Sequence, residues 1–137
     1  MRKGLLVLGL IMSALCLGGC LVIVSEEVEE PAACEPADET IAEIDAVSKL
    51  AFDSDRQQGY KRIAERVGLS DAAQVCLVKK VFDKLAFEDA KEDVLLALID
   101  NPSFSYAGEQ AILERLDRLA FENSKVRVLK AINGRKS

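Results

Sequence analysis

The feature that most constrains this chain is a tripeptide present three times, as Leu50-Ala51-Phe52, Leu85-Ala86-Phe87 and Leu119-Ala120-Phe121. The copies lie 35 and then 34 residues apart, so most of the chain beyond its N-terminal segment is one repeated unit. In register, Val47, Phe82 and Leu116 stand three residues before the leucines, and Val78 and Ile112 four before that. Spacings of four and three place these side chains on one helix face. Alanine always separates leucine from phenylalanine, and a small residue there allows a neighbouring helix to come close.

Downstream, each phenylalanine precedes an acid (Asp53, Glu88, Glu122) and then Ser54, Asp89 or Asn123. These last three are helix-capping types, because a short side-chain oxygen can accept an unpaired backbone N–H. Gln57 and Glu92, three residues further on, complete a capping box in the first two copies, where the third has Val126. Apolar pairs follow: Tyr60 and Ile63, Leu95 and Leu98, Leu129 and Ile132. Each unit therefore reads as helix, tight corner, helix. Gly68 and Pro102 stop helices, Ser70 and Ser105 cap the next, and Leu69 and Phe104 are placed as hydrophobic staples. The expected fold is all-α, with about six helices over 38–51, 54–66, 70–86, 89–100, 105–120 and 123–133. They form three stacked helix pairs, as a short solenoid or a compact bundle. Gly59, aligned with Val94 and Val128, costs about 1 kcal/mol relative to alanine. It marks either a close helix contact or a ligand groove.

Ahead of the repeat, Arg2 and Lys3 precede a stretch from Gly4 to Val24 without charge. Such a segment is a secretion signal or a membrane anchor. Leu17-Gly18-Gly19-Cys20 resembles the lipobox of bacterial lipoproteins, with small residues before the cysteine, whereas Leu15 before Cys16 is too large for the pattern. The resemblance implies acylation and cleavage at Cys20, and hence a membrane partner through lipid. The competing reading is an uncleaved helix, since Leu5 to Val24 supplies about the twenty apolar residues that span a bilayer. The expected organisation is a signal over 1–19, a lipidated acidic tether over 20–37 and a helical domain over 38–137. Leu21 is not the aspartate that retains some lipoproteins at the inner membrane, so export to the outer membrane is the preferred location.

The tether, Ser25 to Ala37, carries five acids, two prolines and no base, which suits an extended spacer or an acidic docking segment. Across the chain 23 acids face 18 bases, and all the acids lie beyond Cys20. Such a domain is unsuited to binding nucleic acid. With Cys20 acylated, Cys34 and Cys76 are the thiols left in an oxidising compartment. They form either a disulfide or two independent thiols. Cys76 aligns with Ile41 and Gln110, which suggests a position near the surface.

The repeat also resembles a bacterial domain family of unknown function, about ninety residues long and found in exported proteins and lipoproteins. Phe52-Asp53-Ser54-Asp55-Arg56 carries the likeness, with looser copies at Phe87-Glu88-Asp89-Ala90-Lys91 and Phe121-Glu122-Asn123-Ser124-Lys125, and with Leu69-Ser70, Phe104-Ser105 and Gln74-Val75. It covers roughly residues 38 to 133. The family implies paired helices and an exported location but no activity. The period also matches tetratricopeptide repeats, whose tryptophan, glycine and tyrosine positions are missing here.

The chain has no histidine, which removes the commonest general acid/base and metal ligand. No carboxylate pair stands out from the helix surfaces, and no calcium-loop spacing is present. No cofactor or metal is therefore expected. The corner bases Arg56, Lys91 and Lys125 recur in one register, and Lys49, Lys84 and Arg118 in another. Stacking turns each register into a row, either a site for an anionic partner or a set of charges paired with Asp53, Glu88 and Glu122. The tail after Glu122 carries Lys125, Arg127, Lys130, Arg135 and Lys136 without an acid. The resulting expectation is a tethered, non-catalytic module that binds or scaffolds a protein partner. The alternative is an envelope enzyme using carboxylates on glycan or peptide.

Overall fold

The structure, a computed structural model, describes residues 34–35 and 38–136. The lipobox with Cys20, the signal segment and most of the tether lie outside these residues. The described part is all-helical, with α1 (Glu39–Ser48), α2 (Asp53–Ala64), α3 (Asp71–Lys84), α4 (Glu88–Asp100), α5 (Tyr106–Arg115) and α6 (Glu122–Arg135). A 3₁₀ turn, Leu116–Arg118, follows α5. The helices form two layers: α1, α3 and α5 pack in order in one, and α2, α4 and α6 in the other. Each helix pair thus stacks on the one before it.

The core contains most of the stripe expected from the periodicity, but Leu50 is exposed and Val47, Leu116 and Leu129 are only partly buried. Ile44, Tyr60, Ile63, Leu77, Val78, Val81, Val94, Leu95, Leu98, Ile112, Leu119 and Val128 are buried between the layers. Ser70 and Ser105 cap α3 and α5, accepting from the N–H groups of Ala73 at 3.1 Å and Gly108 at 3.3 Å. Asp38 caps α1 through the Thr40 N–H at 2.8 Å and also accepts from the Ser70 hydroxyl at 2.8 Å. Gly68, the one described residue with positive φ (85°), turns the chain after α2.

The unequal repeat spacing has a local cause. From its cap, α3 has fifteen residues to reach Leu85, whereas α5 has fourteen to reach Leu119. A 3₁₀ turn rises about 2.0 Å per residue against 1.5 Å in an α-helix, so tightening at Leu116–Arg118 recovers the span. The expected continuous helix over 105–120 is therefore broken.

Two polar side chains fasten the connectors inside this stack. Gln74 is fully buried and donates to the carbonyls of Leu69 at 3.1 Å and Ser103 at 2.8 Å. Its carbonyl oxygen accepts from the Ser105 N–H at 2.9 Å and hydroxyl at 3.3 Å. Asn101 donates to the carbonyls of Ala64 and Arg66, both at 2.7 Å, and so satisfies the open end of α2. Gly108 lets α5 reach this network, since a Cβ there would lie 2.5 Å from the Gln74 oxygen. Gly59 is likewise a close helix contact, with α1 Val47 methyls 2.8 and 2.9 Å from where its Cβ would be.

Cys34 and Cys76 are joined in a disulfide, their Cα atoms 5.0 Å apart. Cys76 is buried, not near the surface, because the bond draws Cys34 over α3 beside Ile41 and covers the sulfur.

Candidate functional site

The three corners repeat one backbone geometry, and their construction differs from the local capping expected. The second helix of each unit begins two residues earlier than the capping pattern implies. The N-cap positions are Phe52, Phe87 and Phe121, whose side chains make no cap hydrogen bond. Ser54, Asp89 and Asn123 fall in the first helical turn. Acids in that turn, Asp53 and Asp55 in α2 and Glu88 and Asp89 in α4, complement the positive end of the helix dipole instead. Gln57 and Glu92 also reach outward: Gln57 donates to Asp93 at 2.9 Å and Glu92 accepts from Arg127 at 2.8 Å.

The acid after each of the first two phenylalanines binds the corner of the following unit. Asp53 accepts from the N–H of Ala86 at 2.9 Å and of Phe87 at 3.4 Å. Glu88 repeats this with Ala120 at 3.0 Å and Phe121 at 2.9 Å. Ala86 and Ala120 are exposed, so their contribution here is a backbone donor rather than room for a neighbouring helix. Partial burial pushes the Asp53 carboxyl up, but the Ala86 N–H, the Arg56 guanidinium and the Phe87 N–H outweigh it and hold it below its ordinary value. Glu88 is likewise raised by burial and lowered further by the N–H groups of Phe121 and Ala120, with Lys91 and Ser124 assisting.

These brackets leave the aromatic rings outside. Phe52, Phe87 and Phe121 are 68%, 67% and 61% exposed. Their backbones nearly coincide, with φ −106°, −94° and −102° and ψ 142°, 136° and 132°, so the three rings leave successive units in the same way. Helices packed in one layer lie about 8–10 Å apart, which sets the order of the spacing between rings.

The bases of this register sit against the acids of their own units. Arg56 donates to the Leu50 carbonyl and to Asp53 at 3.2 Å, with its side chain 18% exposed. Lys125 lies 3.6 Å from Glu122, and the charge of Lys91 acts on Glu88. In the other register Lys49 pairs with Asp45 at 3.0 Å, while Arg118 pairs with Asp83 at 3.2 Å and lies over the Phe82 ring. The rows expected from the sequence exist as registers, and their charges are largely engaged within the domain.

At the far ends of α4 and α6 a depression of about 440 Å³ is lined by Leu96, Ile99, Asp100, Ala131, Gly134 and Arg135. Among the described residues, no three or more acidic or cysteine side chains gather as metal ligands would. Comparisons with protein families, curated proteins and solved structures find no match for this chain.

The exposure of the three phenylalanines is what sequence reasoning missed, since the tripeptide reads only as part of a corner. Their invariance alone gives no signal, because the leucine and alanine before them are equally invariant and that leucine is buried in two of the three copies.

Proposed function

We propose that this chain is a membrane-tethered module of the bacterial cell envelope that holds a protein partner along the row Phe52, Phe87 and Phe121, without catalysing a reaction. The observation that carries the reading is the exposure of all three rings at equivalent corners. Burying an aromatic ring from water is strongly favourable, and exposed aromatics that recur on one surface are the anchors partners use. The partner that fits is an extended or helical segment with apolar side chains in step with the rings. The flanking Asp55, Asp89 and Glu122 would favour basic groups beside them.

Tethering rests on Leu17-Gly18-Gly19-Cys20 after an uncharged segment. In this reading the mature N-terminus is acylated Cys20, and the domain faces the periplasm or exterior, with the outer membrane preferred. The Cys34–Cys76 bond suits an oxidising compartment.

The test is photo-crosslinking in cells from a benzophenone side chain at position 87, followed by mass spectrometry. One stoichiometric partner, captured from 87 and not from Glu65 in the α2–α3 connector, supports the reading. Equal capture from both positions, or none, overturns it. A cell-wall substrate whose turnover is lost on replacing an Asp/Glu pair would favour the enzyme alternative. Mass spectrometry of the mature N-terminus tests the anchor separately.

A further inference from the structure

Each junction within the stack is closed by the same bracket, a carboxylate on two corner N–H groups, and each end of the stack holds half of one. At the first corner the N–H groups of Ala51 and Phe52 have no partner among the described residues, whereas their equivalents at Ala86, Phe87, Ala120 and Phe121 all do. Leu50 there is 42% exposed, while Leu85 and Leu119 are 3% and 1% exposed. At the last corner, Glu122 occupies the position of Asp53 and Glu88, yet its side chain is 80% exposed and among the described residues pairs only with Lys125 of its own helix. Leu113 and Val126 of the last pair remain 37% and 39% exposed, so some apolar surface is left open among its charged groups. The charges of the two ends are also complementary. Exposed acids outnumber exposed bases on the first unit, and exposed bases outnumber exposed acids on the last.

We propose that a second copy of this chain docks head to tail, with Glu122 of one copy bracketing the Ala51 and Phe52 N–H groups of the next. The occupant is a second copy because the missing half-bracket at each end is the one the other end supplies, in the geometry both internal junctions already use. The contact is heterologous and leaves one end of each copy free, so it extends into a chain of copies rather than closing as a pair. Each added copy continues the ring row from Phe121 to the next Phe52. Confinement to a membrane raises the effective concentration that drives such association. This inference stands on the ends of the stack and does not depend on what the phenylalanine row holds.

The experiment uses the full-length chain carrying a benzophenone side chain at position 52, purified in detergent as ¹⁴N and ¹⁵N preparations, mixed and irradiated. The expected result is a ladder of dimers and larger species whose mixed-isotope crosslinks join position 52 to the region around Glu122. Glu122→Lys should lower the yield on the order of tenfold, the worth of losing hydrogen bonds to a charged acceptor. Glu122→Asp should keep most of it, because Asp53 makes the same bracket with the shorter side chain. Far-UV circular dichroism confirms that the variants fold. Monomer alone, mixed-isotope crosslinks mapping elsewhere, or a ladder indifferent to Glu122→Lys would each overturn the proposal.

Discussion

Glu88 accepts the N–H of Phe121 at 2.9 Å across the junction between the second and third units, fixing a corner 33 residues away while leaving its ring in solvent. One short contact thus does two things: it sets the register of the stack and presents the surface that the proposed function uses. Its counterpart, Asp53 on Ala86 at 2.9 Å, does the same one unit earlier.

The brackets should matter for stability where they are made and not where they are open. Asp53→Asn and Glu88→Gln each weaken two backbone hydrogen bonds to a charged acceptor, and each should cost about 1–3 kcal/mol. Glu122→Gln, at the open end, should stay within about 0.5 kcal/mol of the parent. Urea unfolding followed by circular dichroism measures all three.

The same carboxylates set an acid limit. Their folded-state pKa values lie below the unfolded ones, so above the unfolded values, about 3.9 for Asp and 4.3 for Glu, both states are ionised and the stabilisation is complete. As the pH falls through that range the unfolded chain takes up protons first, and the contribution is lost as the folded values are passed. Melting temperature should therefore drop below about pH 4, and the drop should be shallower in Asp53→Asn/Glu88→Gln.

The buried polar clasp should be the most sensitive point in the core. Gln74→Leu strands the carbonyls of Leu69 and Ser103 and the Ser105 N–H. Gly108→Ala forces a methyl against the Gln74 oxygen. Either change should cost roughly 2–4 kcal/mol, read as a lower urea midpoint with an unchanged slope.

Breaking the Cys34–Cys76 bond opens a loop with a sequence separation of 42 and should cost roughly 4 kcal/mol in the chain-entropy model. Unfolding curves with and without a phosphine reductant give the difference, and Cys34→Ser should reproduce the reduced value.

Much of the architecture was legible because helix periodicity and serine caps are local signals. The tripeptide fixed the unit length, and Ser70, Ser105, Leu69 and the buried stripe followed from neighbours within one or two turns. The brackets were not legible. An acid just after a helix start looks the same whether it serves its own helix or a corner more than 30 residues ahead, so Ser54, Asp89 and Asn123 stood out as the better caps. Burial of Cys76 depended on Cys34, which belongs to a different segment. The exposure of the phenylalanines runs against the general preference of aromatic rings for the interior, and only the stacked helices reveal it. Arg56 drew notice as a recurring base, yet its guanidinium is committed to Leu50 and Asp53.

The most direct measurement compares the parent chain with Phe52→Ser/Phe87→Ser/Phe121→Ser for both unfolding midpoint and recovery of the crosslinked partner from membranes. The row as a binding surface predicts a midpoint within about 0.5 kcal/mol of the parent, as for exposed positions, together with loss of the partner. A variant that unfolds much more easily, or one that retains the partner at the parental level, would contradict it.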